Sequence, residues 1–292
     1  MKEQISLAIN CKDLLGECPI WHKSSQSLWR VDILGKSIHS WKPEENNSKE
    51  WVVSKEISYF SPNDDCSLGL AALEDGVYVI DLNKNQEKLI GNPGSNKEKT
   101  RFNDGKFDLN GNLWIGSMDR MEREPIGNLY VINKDLNITK KYAGLIISNG
   151  IDWSPDNKIM YLTDSGEKTI WAFDFDQDNL QIDNKRTFIV DDKCFPDGLT
   201  VDSQGCIWSA KWDGSSIVKY SPSGSILEVY ELPIKRPTSI TFGGMNLNKL
   251  YITSASIGLN NESGLDGSVF EINTKSQGKA EPESIILSDI II

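Results

Sequence analysis

The chain has 292 residues, 38% of them hydrophobic, and its 42 acidic and 31 basic side chains leave a formal net charge of −11. That balance argues against nucleic acid or an anionic membrane as a partner, since both need clustered Lys and Arg, and it disfavours highly anionic substrates. No run approaches a membrane span, "MKEQISLAINCKDLL" lacks the apolar core of a secretion signal, and five cysteines with no C-x-x-C pair suit neither a disulfide framework nor a zinc knuckle. A cytoplasmic protein with reduced thiols is expected.

Aromatics beside branched aliphatics, as in "LYVI", "MYLT" and "LYIT", favour strands, and no helical period is sustained. In chain order, "ISLAIN" comes first, a strand expected to pair with "ESIIL" near the end and close a ring. Six copies of a unit come next: a polar start, a short strand, a turn, a strand ending in an aromatic, a second turn and a third strand. They begin at "GECPIW", "CSLGLAALEDG", "RFNDGKFDLNGNLW", "ISNGIDWSPD", "FPDGLTVDSQGCIW" and "RPTSITFGG". The third and fifth share an Asp-x-x-Gly-x-x-Trp spacing that sets Asp108, Gly111 and Trp114 over Asp202, Gly205 and Trp208. Antiparallel units of this length pack best by radial repetition, so an all-β, six-bladed propeller is expected. No linker divides the chain, which reads as one domain over 1–292, with "EENNSKE" and "NPGSNKEK" as exposed connections.

Aligned on the aromatic that ends the second strand, the polar starts fall into register. Glu17 precedes Trp29 by twelve residues, Asn103 precedes Trp114 by eleven, Asn149 precedes Tyr161 by twelve, Asp197 precedes Trp208 by eleven and Ser239 precedes Tyr251 by twelve. Inner strands ring the propeller axis, so Glu17, Asn103, Asn149 and Asp197 should converge in the channel. Two carboxylates and two amides make a hard-oxygen cage for a divalent cation such as calcium, manganese or magnesium. Polar strand starts that only bond neighbouring loops are the plainer alternative for any one of them, and four in register weaken it.

Other chemistries fare worse. The only histidines, His22 and His39, share the first copy, which excludes a histidine-rich metal site and disfavours a Ser-His-Asp triad; no G-x-S-x-G elbow exists. "DFDQDN" at 174–179 lacks the turn glycine of a calcium loop and reads as a polar turn. Cys18 and Cys194 flank the site candidates without a visible activating base and read as packing residues.

The motifs "GECPIW", "RFNDGKFDLNGNLWIGSM", "ISNGIDWSPD…MYLTDS", "FPDGLTVDSQGCIW" and "PTSITFGG…LYITSA", in that order, resemble the gluconolactonase, regucalcin and luciferin-regenerating-enzyme family of sugar-lactone hydrolases. The wording is closer to its bacterial pentonolactone and hexonolactone hydrolases. The resemblance implies a six-bladed propeller with one divalent metal in the channel, held by Glu17, Asn149 and Asp197, with calcium first and zinc, manganese, magnesium or iron as alternatives. It implies substrate contacts from Arg101 and Asn103. Where the family carries an acidic residue after "G-T-M", this chain reads "GSMDRMEREP" with Met121 at the simplest match, leaving Asp119 or Glu122 to make that contact.

Asp197 is then the candidate general base for opening a sugar lactone, with a small-molecule partner and no obligatory protein partner. Two rival readings stand: a calcium-binding propeller serving as an interaction scaffold, and an esterase or phosphotriesterase on the same fold.

Overall fold

The computed structural model describes residues 5–93, 98–260 and 263–279. Strand β1 (Ile5–Ile9) precedes the first full sheet, made of β2 (Gly16–His22), β3 (Ser27–Asp32), β4 (Ser37–Lys42) and β5 (Asn47–Val52). The second sheet is β6 (Ile57–Pro62), β7 (Leu68–Leu73), β8 (Gly76–Asp81) and β9 (Gln86–Gly91), and the third β10 (Thr100–Phe107), β11 (Leu113–Asp119), β12 (Gly127–Ile132) and β13 (Ile138–Leu145). The fourth is β14 (Ser148–Trp153), β15 (Ile159–Asp164), β16 (Thr169–Asp176) and β17 (Gln181–Val190), and the fifth β18 (Phe195–Val201), β19 (Ile207–Trp212), β20 (Ser216–Tyr220) and β21 (Ile226–Glu231). The last unites β22 (Pro237–Gly243), β23 (Lys249–Ser254) and β24 (Val269–Asn273) with β1, in the order β1-β24-β23-β22.

These six antiparallel sheets are the blades of a β-propeller, and β1 closes the ring as the outer strand of the last blade. Its partner is β24; "ESIIL" lies outside the described residues. The second copy starts earlier than its sequence suggested, at Ile57, and "EENNSKE" is not only a connection, since β5 begins within it. Among the described residues no helix is long and apolar enough to cross a membrane, and no disulfide joins the cysteines.

The shared Asp-x-x-Gly-x-x-Trp spacing is structural. Asp108 and Asp202 each accept the indole N–H of their Trp, at 3.0 and 3.1 Å, and backbone N–H groups of the intervening turn. Gly111 (φ 76) and Gly205 (φ 82) supply the left-handed turn residue. The tryptophans are fully buried between blades, Trp114 edge-on to Trp153 and Trp208 edge-on to Phe242. Such pairs add about 0.5–1.5 kcal/mol beyond the area they bury.

All six inner strands share one irregularity. Their register with the next strand breaks between Glu17 and Ile20, Ile57 and Tyr59, Phe102 and Gly105, Ser148 and Ile151, Pro196 and Leu199, and Pro237 and Ile240. A bulge re-aims the side chains it carries. The polar starts sit in or beside these bulges.

Candidate functional site at the channel mouth

The bulges turn Glu17, Asn103, Asn149 and Asp197 into one end of the channel, where they are all buried and line a cavity of about 380 Å³. Close approach between blades depends on the glycines next in sequence to Asn149 and Asp197. A Cβ on Gly198 would lie 2.2 Å from Ser239 Oγ and 2.6 Å from its Cα, and one on Gly150 would lie 2.4 Å from the Leu199 backbone nitrogen. Only glycine lets blades four, five and six come this near behind the two site residues.

Hydrogen bonds fix the amide orientations. Ser165 Oγ donates to the Pro196 carbonyl at 2.6 Å, so it accepts from Asn149 Nδ2 at 2.9 Å, and Asn149 Oδ1 is thereby turned toward the site. Arg101 Nη1 donates to Asn103 Oδ1 at 2.6 Å. Asn103 Nδ2 then donates to the Ser148 carbonyl at 2.8 Å and to Asn149 Oδ1 at 3.0 Å. Asn103 is thus in the cluster, yet its oxygen is engaged by Arg101. The four-oxygen cage expected from the register becomes three oxygens with Asn103 holding one of them.

The carboxylates lack comparable partners. Glu17 Oε2 accepts the N–H of Cys18 at 3.3 Å, a residue bent into a left-handed conformation (φ 48). Asp197 Oδ1 is buried and has no hydrogen-bond partner among the described residues. Burial, then the Asp197 and Asp104 charges, raise the pKa of Glu17 well above the ordinary range; burial and Asp104 do the same for Asp197. Burial pushes Asp104 itself up to about 6. Arg101 opposes the rise at both Glu17 and Asp197, while its own pKa is lowered by burial. The buried Glu17 and Asp197 carboxylates, with the Asp104 charge raising the pKa of both, carry more negative charge than Arg101 offsets, an excess that a cation would relieve.

The donor set fits a hard divalent ion: two carboxylates, one of them with an unpartnered oxygen among the described residues, and an amide oxygen locked in orientation. Among the described residues no three His, Cys, Asp or Glu side chains are placed to hold a metal. The Asn149 oxygen is what would complete the set.

The two acidic alternatives after Met118 separate. Glu122 (φ 58) lines the cavity with Arg101. Asp119 is buried and does not line it; its carboxylate accepts the backbone N–H groups of Met121, Arg123 and Glu124 at 3.2, 3.0 and 2.9 Å and so shapes the loop that presents Glu122.

Sequence reasoning overlooked Asp104, because neighbours on a regular strand face opposite ways and choosing Asn103 assigned Asp104 to the far side. The bulge brings both to the axis. Also overlooked were Ser165, Trp212, Asp213 and Arg236, which reach the cavity from loops and blade ends outside the aligned starts. The turn tripeptides "DSG" at 164–166 and "WDG" at 212–214, each closing a second strand, were the available signal.

Three comparisons bear on this geometry. A 6-deoxy-6-sulfogluconolactonase of Pseudomonas putida is 30% identical over 289 residues, covering 97% of this chain and 99% of its own. A luciferin-regenerating enzyme superposes with a TM-score of 0.91 at 29% identity, covering 98% of this chain and 100% of that one. A calcium-binding protein, regucalcin, of Agrobacterium tumefaciens superposes with a TM-score of 0.90 at 26% identity, covering 96% and 97%. The family described as the SMP-30/Gluconolactonase/LRE-like region matches residues 15–256, which span every channel-mouth residue above, and the chain belongs to that family.

Proposed function

We propose that this protein hydrolyses a sugar lactone to its aldonic acid in a metal-dependent reaction with Asp197 as general base. The observation that carries the reading is the buried Asp197 carboxylate, one oxygen without a partner, beside Glu17 and the oriented Asn149 at the cavity floor. Membership of a family with gluconolactonases supports the substrate class. Glu17, Asn149 and Asp197 would hold the cation, calcium being favoured by the regucalcin likeness and the all-oxygen donors. When bound, it supplies Lewis-acid polarisation of the ester carbonyl and offsets charge on the developing oxyanion.

The chain's own residues do the rest. Asp197 Oδ1 takes a proton from the attacking water and returns it to the ring oxygen as the C–O bond breaks, leaving a hydroxyl and a carboxylic acid, whose remaining proton passes to solvent to give the carboxylate. Arg101, steadied by its bond to Asn103 Oδ1, orients the lactone and favours the carboxylate product. Asn103 keeps the Asn149 oxygen aimed at the floor. Glu122 is the acidic contact for a substrate hydroxyl. The partner in this reading is a small neutral molecule, without nucleic acid, membrane or second protein.

A second reading, cation binding without turnover, is favoured by the calcium-binding relative. Proton release from a panel of aldonolactones, first metal-free and then with each divalent ion restored, separates the two. Asp197→Asn keeps an oxygen ligand but loses basicity, so with metal in excess turnover should fall about a hundredfold or more. Wild type with no metal-dependent rate above spontaneous ring opening would leave only the binding reading. Equal rates for Asp197→Asn with metal bound would keep the hydrolase and remove Asp197 as its base.

A further inference from the structure

The outer wall of the cavity carries a charge arrangement that the reaction does not use. Among the described residues four acids line the cavity, Glu17, Glu122, Asp197 and Asp213, against two bases, Arg101 and Arg236. Arg101 is tied to the floor through the Phe102 carbonyl and Asn103. Arg236 is the one guanidinium on the outer wall, and its groups are engaged too. Nε donates to Asp213 Oδ1 at 2.7 Å, Nη1 donates to the Ile257 carbonyl at 2.5 Å, and the guanidinium lies 4.7 Å from the Trp212 ring centre. With a divalent cation on the floor the lining sums to zero, so the cavity as a whole offers no excess charge to an ionic ligand.

We propose that Asp213 is a specificity-determining residue: by neutralising Arg236 beside the Trp212 ring, and acting with Glu122, it restricts the site to lactones whose tails are uncharged. The inference rests on the lactonase reading and deepens it. An anionic tail reaching the outer wall would meet two carboxylates, and the cations near it, Arg236 at 2.7 Å and Lys235 at 3.7 Å, both already face Asp213. A hydroxylated tail meets no such penalty. It can exchange hydrogen bonds with Asp213 and Glu122 and lay its C–H face on the exposed part of Trp212.

The test compares two lactones of equal ring size, one ending in a hydroxymethyl group and one in a sulfonate or carboxylate, with metal in excess. Wild type should favour the neutral lactone in kcat/KM by about tenfold or more, the cost of one unfavourable charge contact. Asp213→Asn should shift that ratio toward the anionic lactone by a similar factor, chiefly through a lower KM for the anion, and Glu122→Gln should shift it the same way. If Asp213 only braces Arg236, the variant slows both substrates together and the ratio stays put, which overturns the inference while leaving the lactonase reading intact. A wild type that prefers the anionic lactone overturns it as well. Absence of turnover on every lactone overturns both.

Discussion

Glu17 and Asn103 both line the cavity, and substitution separates what they do. Glu17 would give a cation both an oxygen and a negative charge, whereas Asn103 acts through Asn149, whose Oδ1 it holds at 3.0 Å. Loss of such an orienting partner typically costs about tenfold in metal affinity. Asn103→Ala should therefore weaken divalent-ion binding by about that factor, and Glu17→Gln by clearly more, as measured by calorimetry on metal-stripped protein. Equal affinities in the two variants would show that Glu17 is not a ligand. At this scale the register of polar starts before an aromatic was enough to find Glu17, Asn103, Asn149 and Asp197. It could not show whether the oxygen or the nitrogen of each amide faces the floor, because that depends on the hydrogen bonds made with Ser165 and Arg101, which the register of strand starts does not include.

The bulge is the element that makes the site. Inner and middle strands were legible because they are buried on both faces and read as short apolar runs, although the aromatic expected to end the second strand sits near its start, with Trp29 third in β3, Trp114 second in β11 and Trp208 second in β19. Outer strands were not, since β5, β9 and β21 are largely exposed, β13 is only partly buried, and the polar sequences of β5 and β9 look like loops. Nor does any single residue announce a bulge, although the Gly after Asn149 and after Asp197 is its trace. Gly198→Ala tests the element directly. Its Cβ would fall 2.6 Å from the backbone Cα of Ser239, too close to be relieved by a side-chain rotation, so blade six must shift away from blade five. The expected cost is about 1–3 kcal/mol, the usual range for overpacking, together with weakened cation binding as Asp197 moves. Denaturant unfolding and calorimetry check the two effects. Unchanged metal affinity in a folded variant would show that the bulge does not aim Asp197.

Across the whole molecule the ring is tied at two places, by β1 on the last blade and by the segment after β24 on the face opposite the site. That segment passes under blade five, where Gly278 pairs with Asp202 and Lys219 Nζ donates to Ser276 Oγ at 2.9 Å, and reaches blade four, where Lys279 Nζ meets Asp152 Oδ1 at 2.7 Å. Asp152 is fully enclosed at the far end of the inner strands, also facing Lys106 at 3.1 Å and accepting the Val201 N–H at 2.7 Å. Burial alone would raise its pKa, but Lys106 and Lys279 outweigh that and hold it at about 2. In the unfolded chain an aspartate titrates near ~4, so the native state gains stability from this carboxylate above that pH and loses it as pH falls toward 2. The full contribution is on the order of 2 kcal/mol. Lys279→Met removes one of the two cations while keeping the length of the stem. It should lower unfolding free energy by about 1–2 kcal/mol at pH 7, and the gap from wild type should close between about pH 4 and pH 2, where Asp152 becomes protonated in both proteins. Urea unfolding at a series of pH values measures this. A gap that keeps its size down to pH 2 would mean that Lys279 fastens the ring by packing and its bond to the Trp153 carbonyl, not by charge.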